Sequence, residues 1–321
     1  MMSNVRNAFV LGAGLGTRLR PITNVLPKPL LPIFGKPLIT FVFDHLHQIG
    51  IEKIVINTHH LADRFSQAFP SREYRGLALK FVHEQIRLET GGGLKNVEPE
   101  IGHDPFIVYS GDLVTDIAID RLVEEHFQTG NDVTLALRST GLSTFASWDA
   151  QSNRVADLLD TFSKTGSAQY DFAGVSIWNP SVFSRIQAGA TISFVPVIIE
   201  WRKAGGQIGG VVLEENRWFN IGDREQYLKV HRSILRDGWR PAYLNNDLWP
   251  VRIEPSAHVS ATARVHGGSY VGAHCRVGEG AVIQDSILLP HSSVAAGAFL
   301  ESCIVAGRDV SAGRHDRNDF V

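Results

Sequence analysis

Three glycines at alternate positions, Gly12, Gly14 and Gly16, run directly into Thr17, Arg18 and Arg20. Backbone that lacks Cβ atoms can approach a phosphate closely and present its N–H groups, and the two guanidinium groups add positive charge. Lys28 follows between Pro27 and Pro29, where two stiff residues hold one compact ammonium charge suited to neutralising phosphate. The spacing is not that of the common nucleotide loops: no Gly-Lys-Ser/Thr follows, and the three glycines do not fit G-x-G-x-x-G. By itself, a glycine turn fits a purely structural role as well as it fits phosphate binding. Further along, an apolar run ends in Gly111-Asp112. Its carboxylate is of the oxygen type that hard Mg2+ takes, and it is equally able to cap a turn.

Such loops need strands to present them. From residue 7 to about 213, short β-rich runs alternate with amphipathic stretches. The spacing predicts strands at 7–11, 53–57, 77–83, 105–110 and 169–178, and helices at 37–50, 61–69 and 92–97. This alternation predicts a layered α/β fold with a doubly wound, Rossmann-like sheet. Ligands of such sheets sit at the carboxyl ends of strands, so the loop 12–29 and Gly111-Asp112 are expected to face one cleft. A helix over 223–235 leads into a polar, proline-bearing connector.

Beyond the connector the texture changes. Ile253, Val259, Val265, Val271, Val277 and Ile283 recur every six residues, and the register resumes at Leu288, Val294 and Leu300. A period of six predicts a short parallel β-helix, left-handed, of roughly three turns, with one aliphatic side chain per strand pointing inward. The expected organisation is a catalytic domain at 1–240, a linker at 241–252, the β-helix at 253–313 and a frayed polar tail at 314–321.

Composition narrows the classes of function. The chain has 321 residues, 44% of them hydrophobic, with 31 basic against 33 acidic side chains and a formal net charge of -2. A near-neutral chain without a basic stripe argues against nucleic acid as a partner. No apolar stretch approaches the roughly 20 residues needed to cross a bilayer, so no membrane role is expected. No export signal is legible, and Cys275 and Cys303 cannot form a disulfide framework, which points to a reducing cytoplasm. The cysteines are expected to pack within the repeat, and the thirteen scattered histidines to be structural rather than zinc ligands.

Gly12-x-Gly14-x-Gly16-Thr17-Arg18-Leu19-x-Pro21, followed by Pro27-Lys28-Pro29-Leu30, resembles the signature loop of the sugar-1-phosphate nucleotidyltransferases. Leu88-Glu89-Thr90-Gly91-Gly92-Gly93-Leu94 is similar to that family's second glycine segment, in the form closest to N-acetylmuramate 1-phosphate uridylyltransferases. The resemblance implies a mixed sheet of the nucleotide-diphospho-sugar transferase type and, as substrates, a nucleoside triphosphate and a sugar 1-phosphate. It implies nucleotide contacts from Leu11, Gly12, Ala13, Gly14, Gly16, Thr17, Arg18, Glu84, Thr90 and Gly91, and sugar contacts from Gly111, Gly174 and Glu89. It further implies catalytic roles for Arg18, Lys28 and Asp112, with Mg2+ held by Asp112 and Asn220. Trp218-Phe219-Asn220-Ile221-Gly222 departs from the family's usual Trp-x-Asp-x-Gly, so an amide stands where a second metal-binding carboxylate is expected. The base and sugar stay open between mannose 1-phosphate with GTP and N-acetylmuramate 1-phosphate with UTP. A nucleotide-sugar sensor without catalysis and a bifunctional enzyme with acyltransferase repeats are the alternatives. The short repeat fits an oligomerisation module, through which the chain could form a homo-oligomer, better than an acyl-donor site.

Overall fold

A computed structural model describes residues 5–140, 146–149, 151, 152, 154–159, 169–244 and 248–321. Residues 245–247 of the expected linker lie outside them. The chain divides into two compact units, 1–14 with 42–218, and 15–41 with 219–321.

The first unit is built on a mixed sheet. Strand β1 (Asn7–Leu11) lies parallel to β2 (Lys53–Thr58), which in turn runs parallel to β3 (Leu77–His83). On its other side β1 pairs in parallel with β4 (Phe106–Ser110). Strand β5 (Val133–Arg138) is separated from β4 by β6 (Gln169–Trp178), which is antiparallel to both. Strand β7 (Ile208–Val212) extends the sheet parallel to β5. Ala8, Phe9 and Val10 are all fully buried, as a strand covered on both faces requires. One face packs Phe9, Val55, Phe106 and Val108 with Leu94 of the helix α3 (Glu89–Asn96) and with Ile198 and Trp201 of the helix Phe194–Lys203. The other face carries Tyr109, whose hydroxyl lies 3.1 Å from Nδ1 of His45 on α1 (Leu38–Gln48); α2 (Ala62–Ala68) follows β2.

Strands β3 and β6 have the expected bounds. The second glycine segment does not. Its helix is expected from Gly92 but begins at Glu89, so all three glycines are helical. They are tolerated because each lies against other backbone or buried side chains, which offsets the helix penalty of glycine, roughly 1 kcal/mol each.

The second unit joins the loop 15–41, a helix α4 (Arg224–Asp237) and the repeats. Three parallel sheets of four short strands stack coil on coil, consistent with a β-helix. Val259, Val277, Val294 and Val310 occupy equivalent register positions on one face, Val265, Ile283 and Leu300 on the second, and Val271, Leu288 and Val305 on the third. Most of them pack in one buried cluster with Cys275 and Cys303. The coil shortens from eighteen residues (Val259 to Val277) to seventeen (Val277 to Val294) and sixteen (Val294 to Val310), which is why the six-residue period slips. The expected fray at 314–321 does not occur. Strands Arg314–Asp316 and Asp319–Phe320 pair with Phe299–Glu301 and Ile304–Val305 and add a coil, because their backbone groups find a ladder partner even where the side chains are polar.

Two buried histidines make stability depend on pH. Burial pushes the pKa of His45 down to about 3, with a backbone bond to Ile117 opposing it, and that of His231 on α4 down to about 4 against a backbone bond to Tyr227. Both stay neutral when folded, whereas the unfolded chain takes up their protons below about pH 6.5. Stability is therefore unaffected above pH 7 and is lost as pH falls from 6.5. At pH 5 each histidine should cost about 2 kcal/mol relative to pH 7.5. Thermal melts across pH 5–7.5 check this, and His231→Phe should flatten the slope.

Candidate active site

At the carboxyl ends of the parallel strands, one buried carboxylate organises the glycine loop. Gly12 donates its N–H to Asn57 Oδ1 at 2.8 Å, and Asn57 Nδ2 donates to Glu84 Oε1 at 2.8 Å. The second oxygen of Glu84 accepts from the N–H of Leu88 at 3.0 Å. Asn57 and Glu84 are each only 2% exposed. A buried carboxylate is tolerated when its oxygens are hydrogen-bonded in this way. The approach requires glycine. A Cβ at Gly12 would lie 2.7 Å from the Asn57 carbonyl oxygen, and one at Gly93 2.8 Å from Glu84 Oε1. Glu84 is thus placed beneath the loop as its anchor. Asn57 is not among the residues expected from the sequence, and its only signal is an amide directly after the apolar run Ile54-Val55-Ile56.

Gly111 donates to the carbonyl of Leu11 at 3.0 Å, and a Cβ there would lie 2.6 Å from that oxygen. The exits of β1 and β4 therefore meet, with Gly12 to Gly14 on one and half-buried Asp112 on the other. Gly174 adopts φ +80° where the register of β6 against β5 shifts, and a Cβ would meet Leu113 Cδ1 at 2.7 Å and Ser110 Oγ at 3.1 Å. Gly111, Asp112 and Gly174 are thus brought together, with Ser110 and Leu113 between them. The indole N–H of Trp218 donates to the neighbouring Ala173 carbonyl at 2.8 Å.

The second glycine segment is engaged with the chain itself. The N–H groups of Gly91 and Gly92 both donate to the Ile192 carbonyl, and Thr90 Oγ1 accepts from Phe194 N at 3.0 Å. A Cβ on Gly91 would lie 2.9 Å from the carbonyl oxygens of Ile192 and Ser193. Glu89 opens the helix at φ +61°, paired with Arg87.

The second unit holds the cationic residues. Gly16, at φ +62°, accepts at its carbonyl from Thr23 Oγ1 at 2.8 Å, and its missing Cβ would lie 3.3 Å from the Cβ of Lys28. Leu19 is buried while Thr17 and Arg18 are exposed, so the short helical turn Thr17–Leu19 is pinned by its leucine with its arginine outward. The guanidinium of Arg18 comes within 3.0 Å of where a Cβ on Gly222 would stand. Asp223 Oδ1 caps α4 by accepting from Gln226 N at 2.9 Å, and Gln226 Oε1 reaches back past the cap to accept from Gly222 N at 2.7 Å. With that carboxylate oxygen committed to the helix, Oδ1 of Asn220 stands out: it is buried without a hydrogen-bond partner.

An oxygen acceptor left unsatisfied in this way costs about 1–3 kcal/mol, and it fits a hard cation or a ligand's donor group. Among the described residues no group of three or more His, Cys, Asp or Glu could hold a metal by itself. Asp112 in the first unit and Asn220 in the second each carry an oxygen of the type that a hard cation takes. No helix among the described residues is long and apolar enough to cross a membrane.

Comparison with known proteins identifies the family. Residues 7–237 match the family described as nucleotidyl transferase, and residues 248–317 match the GMPPB C-terminal domain. The chain is 28% identical over 305 residues to a mannose-1-phosphate guanylyltransferase of Mycobacterium tuberculosis, covering 94% of this chain and 84% of that protein. It is 34% identical over 237 residues to the N-acetylmuramate alpha-1-phosphate uridylyltransferase of Caulobacter vibrioides, covering 71% of this chain and 96% of that one. The crystal structure of HddC from Yersinia pseudotuberculosis complexed with GMP-PN shares the fold, with a TM-score of 0.58 at 22% identity over 70% of this chain and 97% of that one. The first match takes in both units' share of the loops, from Gly12 through Asp112 to Asn220. This enzyme therefore belongs to the nucleotidyl transferase family, among relatives that act on sugar 1-phosphates.

Proposed function

We propose that the enzyme joins mannose 1-phosphate to GTP, releasing pyrophosphate, with Mg2+ as cofactor. The observation that carries the choice of substrates is the C-terminal segment, residues 248–317. Its match to the GMPPB C-terminal domain, and a guanylyltransferase relative that covers 94% of the chain, extend over both the catalytic region and the repeats. N-acetylmuramate 1-phosphate with UTP is the second reading. It is favoured by the higher identity of the uridylyltransferase relative and by Glu89-Thr90-Gly91-Gly92-Gly93.

The chemistry needs no covalent enzyme intermediate. A sugar phosphate oxygen is already an anion and attacks the α-phosphorus in line with departing pyrophosphate, so the protein has to position and neutralise. The amides of Gly12 to Gly14, anchored through Asn57, offer donors to the nucleotide, and Arg18 and Lys28 offset negative charge on the triphosphate. Gly174 and Gly111 give the hexose bare backbone to lie on. Held by Asp112 and Asn220, Mg2+ would supply positive charge to the phosphate oxygens.

Lys28→Ala and Asp112→Ala should each lower kcat about a hundredfold, an effect of about 3 kcal/mol, while leaving the melting temperature close to wild type. Near-normal turnover in either variant would remove that residue from the mechanism. Asn220→Asp restores a full negative charge at the orphaned acceptor, so the Mg2+ concentration that gives half-maximal rate should drop several-fold. An unchanged requirement would take Asn220 out of the metal set. The pairing of substrates is settled by pyrophosphate release from GTP and UTP against the two sugar phosphates: GTP with mannose 1-phosphate should have the highest kcat/KM. A preference for UTP with N-acetylmuramate 1-phosphate would establish the second reading.

A further inference from the structure

The last coil of the repeats grips the start of α4. Arg224, the first residue of that helix, donates from Nε to both carboxylate oxygens of Asp319, at 2.9 and 3.1 Å, and from Nη2 to the carbonyl of Ser302. The side chains of Arg224 and Asp319 are only 19% and 13% exposed. An ion pair this sheltered, with a backbone carbonyl as a third partner, holds its geometry far better than a solvated surface pair. Arg224 directly follows Asp223, whose carboxylate caps the helix, and Gly222, whose N–H is fixed by Gln226 and whose Cα faces the guanidinium of Arg18. Asn220, with its unsatisfied Oδ1, lies four residues before Arg224.

A second grip acts on the other end of the catalytic loop. In the hairpin formed by Pro32–Ile33 and Lys36–Pro37, the carbonyl of Pro32 accepts from Tyr227 Oη at 2.7 Å and that of Ile33 from Trp249 Nε1 at 3.1 Å. Gly35 at its tip touches Glu254, which also accepts from Tyr270 Oη at 3.3 Å. Helix α4 and the first coil therefore seat the segment that carries Arg18 and Lys28, and the last coil fixes the N-terminus of α4.

We infer that Asp319 and Arg224 are positioning residues for nucleotide binding: through them the final β-helical coil sets the segment Asn220 to Asp223 against Arg18. This rests on the proposed role of Arg18 in holding the triphosphate, and the test separates the two. Nucleotide affinity is measured by calorimetry on the full chain at 25 °C, without turnover, with circular dichroism to show that each variant is folded. Arg18→Ala weakens GTP binding if the proposed role of Arg18 is right; if it does not, that role fails first. Asp319→Asn, which keeps the shape and removes the charge, should weaken GTP binding about tenfold, and Asp319→Glu should recover most of it. The double variant Arg18→Ala with Asp319→Asn should bind no more weakly than Arg18→Ala alone, because the clamp acts through that guanidinium. Wild-type affinity in Asp319→Asn, or additive losses in the double variant, would overturn the inference while leaving the role of Arg18 intact.

Discussion

In the first unit the start of the glycine loop depends on the carboxylate of Glu84. It lies buried after β3, bonds Asn57 at the end of β2, and through that amide fixes the first N–H beyond β1, while its other oxygen takes the N–H of Leu88 ahead of α3. Removing one partner would leave a buried charge or amide unsatisfied, a cost of about 1–3 kcal/mol or more, so the four segments are held as one. The glycines follow from this constraint. Gly12 and Gly93 leave the room that the network fills, and Gly111 lets β4 cross the exit of β1. Their value is closeness of approach rather than flexibility.

The second unit solves the same problem with aromatic rings. Phe34 takes a left-handed conformation (φ +48°), which costs a non-glycine residue about 1–2 kcal/mol, and is held there by His231 at 4.6 Å and, edge-on, by Trp249 and Tyr270. Rings from the hairpin, from α4, from the connector and from the first coil thus meet in one cluster. The loop that bears Arg18 and Lys28 is built on the repeats, which gives them a part in holding that loop that their period alone does not disclose.

The sequence made the alternation of elements and the signature loops legible, and the reasons for the failures are local. Strand β3 shows clear alternation and a buried edge at Leu77 and Leu79, and its bounds follow. The start of α3 at Glu89 does not, because three successive glycines read as a loop unless their packing partners at 190–193 are known. Asn57 is silent for the same reason: its importance lies in a hydrogen bond that spans 45 residues. In the last coil the inward positions are His315 and Phe320 in place of Leu300 and Val305, and the coil has shrunk to fifteen residues, so both the aliphatic signal and its period vanish where the fold continues. Asp319 is consequently read as a polar end although it anchors Arg224.

The departure at Asn220 can be understood from charge. Arg18 reaches the backbone of Gly222, two residues away, and no hydrogen bond satisfies the oxygen of Asn220. A carboxylate at this position would attract a divalent cation more strongly, but it would also draw the nearby guanidinium toward itself and away from a triphosphate. In the proposed site a neutral amide would give up part of the metal affinity and leave the positive charge of Arg18 available to a triphosphate. The balance is tolerable because nucleoside triphosphates bring their own anionic oxygens to a hard cation, so the protein need not supply every negative charge in its coordination shell. The same reasoning makes the clamp on α4 more valuable. An amide oxygen offers a cation one weak, directional dipole instead of a delocalised charge, and such a ligand depends more on being held in place than a carboxylate does.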